Sequence, residues 1–152
     1  MPDTLEFHQR LTNQLCFAVY STAHAFNRIY KPLLDRIGLT YPQYIVMLVL
    51  WERDGLAVKE IGEQLFLDSG TLTPLLKRLE AAGLVLRQRS STDERVVNIH
   101  LTPAGQALQA EVAAVGEAIG CAAELTLETA GDLRDALLKV RGSLHASAEA
   151  AE

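Results

Sequence analysis

The stretch VKEIGEQLFLDSGTLTPLLKRLEAAGLVLRQRSSTDERVVNIHL, residues 58–101, decides the fold. Val58, Ile61 and Leu65 recur at helical spacing and predict a short amphipathic helix. Phe66 to Gly70 breaks that pattern, and Leu72, Leu75, Leu76 and Leu79 predict a second helix that ends before Gly83. Leu84 to Arg89 and Val96 to Leu101 read as strands, since Val97, Ile99 and Leu101 alternate with polar or small positions. Ser90 to Glu94 is a polar turn between them. Two short helices followed by a two-stranded hairpin with a charged tip make a winged helix-turn-helix, so the fold expected is mainly α with a small β-wing.

The flanks are helical. Leu11, Leu15, Val19, Thr22, Phe26 and Ile29 share one face of a long helix expected over about residues 5–30. Pro32 should end or kink it, with a short piece from Pro32 to Ile37 closed by Gly38. Thr40-Tyr41-Pro42-Gln43 opens the next helix, to about Arg53: Thr caps, Gln three residues on completes a capping box, and Pro tolerates the first turn. This helix is apolar almost all round and should be buried. Asp54-Gly55 reads as a turn. Thr102-Pro103 starts an Ala-rich helix to about residue 125. A break at Thr126 to Asp132 and a last helix to about Ala146 follow, with Ala148–Glu152 frayed. The chain is expected to be one domain over residues 1–152, with a helix-turn-helix and wing at 39–102. Residues 5–38 and 103–147 carry apolar faces that a small domain cannot cover, which predicts a homodimer in which both termini interlock.

The 152 residues are 49% hydrophobic and 22% charged, ordinary for a globular domain. The net charge of −5 argues at first against a nucleic-acid partner. Its distribution reverses that argument. Residues 101–152 hold three basic and eight acidic side chains and so carry the whole excess, whereas residues 69–100 hold five basic against three acidic. Asp3, Glu6, His8, Gln9 and Arg10 interrupt any apolar leader, and the longest apolar run, Tyr44 to Trp51, is too short to span a bilayer. A cytoplasmic location without a membrane is therefore expected. There a standing disulfide between the two cysteines, Cys16 and Cys121, would be unusual and a transient one regulatory.

On the second helix of the core stretch the leucines share one side. Gly70, Thr73, Pro74, Lys77 and Ala81 lie opposite, flanked by Ser69, Thr71 and Arg78. Small and hydroxyl side chains at a helix N-terminus suit close approach to base edges and phosphates, and Lys77 and Arg78 add charge one turn on. Pro74 lies about one turn inside and removes an intrahelical bond, so the first turn is expected to be distorted or to start later. Arg87 and Arg89 alternate on the first wing strand and point to one side. Arg95 at the tip is placed for a minor groove, with Asp93 two residues earlier to orient its guanidinium. These ten residues (Ser69, Thr71, Thr73, Pro74, Lys77, Arg78, Arg87, Arg89, Asp93, Arg95) form the candidate DNA-contacting set. His8, His24, His100 and His145 are scattered without ligand spacing, so no metal and no cofactor are expected. No phosphate loop or nucleophile elbow is present, and the chain is not expected to be an enzyme.

Leu39-Thr40-Tyr41-Pro42-Gln43-Tyr44, Asp68 to Glu80, Asp93-Glu94-Arg95 and Asn13 to Ser21 together resemble the MarR family, and within it the OhrR subfamily of organic hydroperoxide sensors. The resemblance covers about residues 10–105 strongly and the C-terminal helices by architecture. It implies a homodimeric repressor with its second helix in the major groove of a pseudo-palindromic operator and its wing in the minor groove. It makes Cys16 the peroxide-reactive cysteine, which by its residue context alone would be a small buried hydrophobe. It implies that Tyr20, one turn on, supports the thiolate, together with Tyr30 and Tyr41 approaching from the other subunit; phenol hydroxyls that donate to sulfur favour its ionised form. It makes Cys121, on the long C-terminal helix, the resolving cysteine of the two-cysteine type, capturing the sulfenic acid across the dimer. Two other readings stand beside this one: a MarR-type repressor relieved by a small aromatic ligand, with both cysteines passive, and a thiol peroxidase.

Overall fold

The computed structural model describes residues 4–151. Among these the order is α1 (Thr4–Gln9), a 3-10 turn (Leu11–Asn13), α2 (Leu15–Asp35), α3 (Tyr41–Glu52), β1 (Leu56–Ala57), α4 (Val58–Leu65), α5 (Ser69–Ala81), β2 (Val85–Arg89), β3 (Val97–Leu101), α6 (Pro103–Ala123) and α7 (Leu127–Glu149). The chain divides into two compact units, one up to Val115 and one from Gly116.

The first unit is built round α3. The expected capping box is formed: Gln43 Oε1 accepts from the Thr40 N–H at 2.9 Å and Thr40 Oγ1 accepts from the Gln43 N–H at 3.4 Å. Tyr44, Val46, Met47, Val49 and Leu50 are buried, so the helix is covered on nearly every side. Leu34, Ile61, Leu72, Leu76 and Leu79 close round it from α2, α4 and α5, each removal from water contributing about 2 kcal/mol.

The α4–turn–α5 step follows from two residues. Phe66 adopts a left-handed conformation (φ 55°), and the Leu67 N–H returns to the Gly62 carbonyl at 3.0 Å, closing α4. A Cβ on Gly62 would stand 2.7 Å from the Leu67 carbonyl oxygen, so only glycine lets the turn come this close. Asp68 then caps α5, accepting from the Thr71 N–H at 2.7 Å. α5 begins at Ser69 and runs unbroken through Pro74, correcting the expected distortion. The N–H that proline lacks would have bonded only the Gly70 carbonyl, and the Asp68 cap holds the first turn without it.

Four further expectations are revised. The long helix over residues 5–30 is interrupted between Gln9 and Leu15, where the Asn13 amide donates to the Phe7 carbonyl and the Gln14 amide to the His8 carbonyl. These side chains replace the helical N–H groups at the end of α1. Pro32 does not end α2, which continues to Asp35 and closes through the Leu39 N–H on the Leu34 carbonyl with Gly38 at φ 71°. The wing is a three-stranded antiparallel sheet in the order β1-β3-β2, not a two-stranded hairpin: Leu56 pairs with Ile99 and Ala57 with Asn98. Burial of Leu56 beside Ile99 draws the residues after the Asp54-Gly55 turn into the sheet. In the second unit α7 starts at Leu127, because Thr126 caps it by accepting from the Thr129 N–H at 3.1 Å, and it runs to Glu149 instead of fraying from Ala148. Glu152 lies outside the described residues.

β2 and β3 pair from Val85↔Leu101 to Arg89↔Val97. Thr102 ties the sheet to α6: its Oγ1 donates to the Gly83 carbonyl at 2.6 Å and accepts from the Gly105 N–H at 3.0 Å. Trp51 Nε1 donates to the Gly105 carbonyl at 3.0 Å, joining α3 to the same point. A Cβ on Gly105 would lie 2.0 Å from the Leu84 carbonyl oxygen. Gly105→Ala should therefore lower stability by about 3 kcal/mol, the upper end for overpacking, and Gly62→Ala by less. Urea unfolding of the two variants beside the parent checks both the loss and its order.

Candidate functional site

Cys16 is the second residue of α2, exposed and free of any disulfide. Its Sγ lies 3.8 Å from Gln14 Oε1. Tyr20 follows one turn later, exposed, with its ring tilted against His24 at 4.4 Å between centroids. Tyr30 stands at the other end of the same helix, roughly 21 Å from Cys16 along the axis at the usual rise per residue. There it packs against Tyr41 at 4.9 Å and Tyr44 at 5.8 Å, with Tyr41 and Tyr44 6.1 Å apart. Burial, and then the neighbouring Tyr44 and Tyr41, push the Tyr30 phenol up to about 12, so it keeps its proton at neutral pH and stays a donor. Within one chain Tyr30 and Tyr41 are thus brought to each other and not to Cys16. Cys121 is exposed and free on α6, in the second unit.

α5 separates its two faces as the leucine spacing requires. Leu72, Leu75, Leu76 and Leu79 are buried, Thr73 is half-buried, and Ser69, Thr71, Pro74, Lys77 and Arg78 are exposed. Asp68, at the open end of this helix, has its carboxyl held below the ordinary range, chiefly by the Thr71 N–H. On the wing, Arg87 and Arg89 share the strand face of buried Val85. Arg89 is exposed, while Arg87 is half-buried and its N–H donates to Glu80 Oε1 of α5 at 3.2 Å. At the tip Asp93 and Arg95 form a two-point pair: Oδ1 accepts from Nε at 3.1 Å and Oδ2 from Nη2 at 3.3 Å, and Oδ1 also accepts from the Arg95 N–H at 3.0 Å. The Arg95 side chain remains 91% exposed, so the pair aims the guanidinium without withdrawing it. Lys77, Arg78, Arg89 and Arg95 give this end of the unit exposed positive charge.

Three residues of these arrangements lay outside the sequence expectation. Asp68 as a cap was legible, since Asp followed three residues later by Thr before a leucine repeat is a helix start. Tyr44 was not singled out, because its ring meets Tyr41 on its own helix and Tyr30 from α2, and only the fold brings Tyr30 there. Gln14 was hidden by the continuous apolar spacing around it. Among the described residues no three His, Cys, Asp or Glu side chains are arranged to hold a metal ion. No described helix is long and apolar enough to cross a membrane.

A capped second helix with a polar outer face, backed by a three-stranded wing with an oriented arginine at its tip, defines a winged-helix regulator. The chain belongs to the SarA/Rot and MarR-type family of transcriptional regulators, the family described as transcriptional regulator SarA/Rot matching residues 28–112. It is 54% identical over 95% of its length to the HTH-type transcriptional regulator TtmR of Methylorubrum extorquens, covering 74% of that protein. It is 46% identical to the organic hydroperoxide resistance transcriptional regulator of Bacillus subtilis, over 91% of this chain and 94% of that one. Among solved structures, AbfR of Staphylococcus epidermidis aligns with a TM-score of 0.77 and 36% identity, over 94% of this chain and 99% of that one. AbfR has also been solved reduced and bound to DNA (TM-score 0.76, 39% identity, 91% and 94% covered) and in a disulfide-formed state (TM-score 0.63, 37% identity, 98% and 99% covered). The chain is a transcriptional regulator with the winged-helix fold.

The Asp93–Arg95 pair is open to direct measurement. The Asp93 carboxyl is held below its ordinary range first by the Arg95 side chain and then by the Arg95 N–H. A carboxylate NMR titration should place its midpoint below the usual value of about 3.9, and Arg95→Ala should raise it towards that value.

Proposed function

We propose that this regulator is a redox-sensing repressor that binds operator DNA when reduced and is released when an organic hydroperoxide oxidises Cys16. The observation that carries the reading is the free, exposed Cys16 at the head of α2, in a chain 46% identical to an organic hydroperoxide resistance regulator. The Cys16 thiolate attacks the hydroperoxide. An S–O bond forms as the O–O bond breaks, the sulfur gives up two electrons, and the leaving alkoxide takes a proton to become an alcohol. The sulfenic acid then condenses with the thiol of Cys121 of the partner subunit, releasing water and forming an intersubunit disulfide. The states in which AbfR has been solved, reduced on DNA and disulfide-formed, support both ends of this cycle.

The proposed unit is a homodimer. Leu11, Leu15, Phe17 and Phe26 remain exposed on the N-terminal elements, and Leu133, Leu137, Val140 and Leu144 form an exposed stripe along α7. No residue described in the second unit is buried, so that unit has no core of its own. A second copy covering these faces would supply it, and would bring Tyr30 and Tyr41 of the partner subunit to the sulfur that the one-chain geometry leaves distant. Each dimer then presents two reading heads: Ser69, Thr71, Thr73, Pro74, Lys77 and Arg78 of α5 towards a major groove, and Arg87, Arg89 and Arg95 of the wing towards phosphates and a minor groove. Half-sites lie about one helical turn apart. Disulfide formation that shifts the heads relative to each other loses contacts at both half-sites together.

A cavity of about 310 Å³ beside Tyr41, lined also by Asn27, Lys31, Leu34, Asp35, Leu39, Thr40 and Pro42, favours a second reading, in which a small aromatic ligand relieves repression. Cys16→Ser separates the two. Under the redox reading this variant stays on DNA when peroxide is added, in a fluorescence-anisotropy release assay; release as in the parent would sink it. Non-reducing gels after stoichiometric peroxide should show a covalent dimer that Cys121→Ser abolishes. Arg95→Ala should weaken operator binding at fixed salt by roughly tenfold, the loss of one good contact of about 1–3 kcal/mol, and an unchanged affinity would remove the wing from the interface.

A further inference from the structure

The junction between α1 and α2 holds a hydrogen-bond relay that ends on the sulfur. The Gln14 side-chain NH2 donates to the His8 carbonyl, at the C-terminus of α1 where helix carbonyls lack intrahelical partners. The same amide presents its Oε1 to Cys16 Sγ at 3.8 Å. Gln14 is half-buried in a stretch whose other side chains are exposed. Asn13 makes the parallel bond one residue earlier, to the Phe7 carbonyl at 3.1 Å. The amide is therefore clamped in one orientation, with nitrogen on backbone and oxygen on sulfur.

We infer that Gln14 is the positioning residue of Cys16, holding its sulfur as a hydrogen-bond donor and so restraining its attack on hydroperoxide; this rests on the redox reading of Cys16. An amide oxygen accepts from a neutral S–H and gains nothing from a thiolate, whose charge it faces with its own negative end. The amide cannot turn to offer N–H to the sulfur without giving up the His8 carbonyl. The restraint is thus built from the junction itself, and loosening it frees the nucleophile. The titratable and charged groups nearby in sequence are His8 of α1, Arg10 before the 3-10 turn, and Tyr20 and His24 of α2, with Tyr30 and Tyr41 of the partner subunit in the proposed dimer. All are common to the variants compared below.

The test uses the full chain with Cys121→Ser, so that Cys16 is the only thiol. Alkylation by iodoacetamide is followed against pH, and oxidation by tert-butyl hydroperoxide is measured on the same samples. Gln14→Leu should move the alkylation midpoint down by about half a pH unit, roughly a threefold faster reaction below it, with the high-pH plateau unchanged. Gln14→Glu keeps an acceptor and adds charge, and should move the midpoint up. Superimposable profiles, or a shift of both variants in the same direction, would overturn the assignment. Circular dichroism monitors folding, and if Gln14→Leu does not fold, the direction of the Gln14→Glu shift decides. Split midpoints in chains that do not react with the hydroperoxide would uphold the role of Gln14 and reject the sensing reading. Reaction with hydroperoxide at superimposable midpoints would do the reverse.

Discussion

Helix α3 has almost no outward face, and the first unit is arranged by that fact. A helix with Val46, Met47 and Leu50 all removed from water needs apolar neighbours in every direction. α2, α4, α5 and β3 supply them. The HTH pair is consequently seated on α3 and not on solvent, and the buried leucines of α5 can come only from the side facing it. Ser69, Lys77 and Arg78 are left outward as the geometric remainder of that packing. Trp51 extends the same spine to Gly105, where the sheet and the start of α6 meet.

What could be read from the residues was what local chemistry decides. The Thr40–Gln43 box, the Thr102 start of α6, the Gly38 closure and the leucine face of α5 depend on neighbours within a few positions, and each is formed. The failures share a different cause. β1 is two residues long and exists only because Leu56 is buried beside Ile99 on a strand more than forty positions away. The break before α2 is made by the side-chain amides of Asn13 and Gln14 reaching back to α1, which apolar spacing does not record. Pro32 and Pro74 carry a penalty in an isolated helix, yet both helices run on because tertiary packing and caps outweigh one missing bond. For the candidate site, the residue types were legible and their grouping was not. Tyr30 and Tyr41 were visible, but the packing of Tyr30 against Tyr41 and Tyr44 required the fold.

The apolar surface has a similar logic. A chain with Leu127 96% exposed, and no buried residue among those described from Gly116 on, is not optimised to stand in water alone. The acidic excess of residues 101–152 lies on these same helices, so solubility and association are served by different side chains of the same elements.

The length of α2 keeps the Cys16 sulfur apart from the Tyr30 phenol on one rod, with Cys16 in its first turn and Tyr30 in its fifth. In the proposed sensor no single polypeptide owns a complete centre. Responsiveness then becomes a property of the population: dilute chains below their dissociation constant carry a Cys16 sulfur that never meets the phenols of Tyr30 and Tyr41. Their sensitivity to peroxide rises with chain number by mass action, so that the cellular amount of the regulator also sets how alert it is.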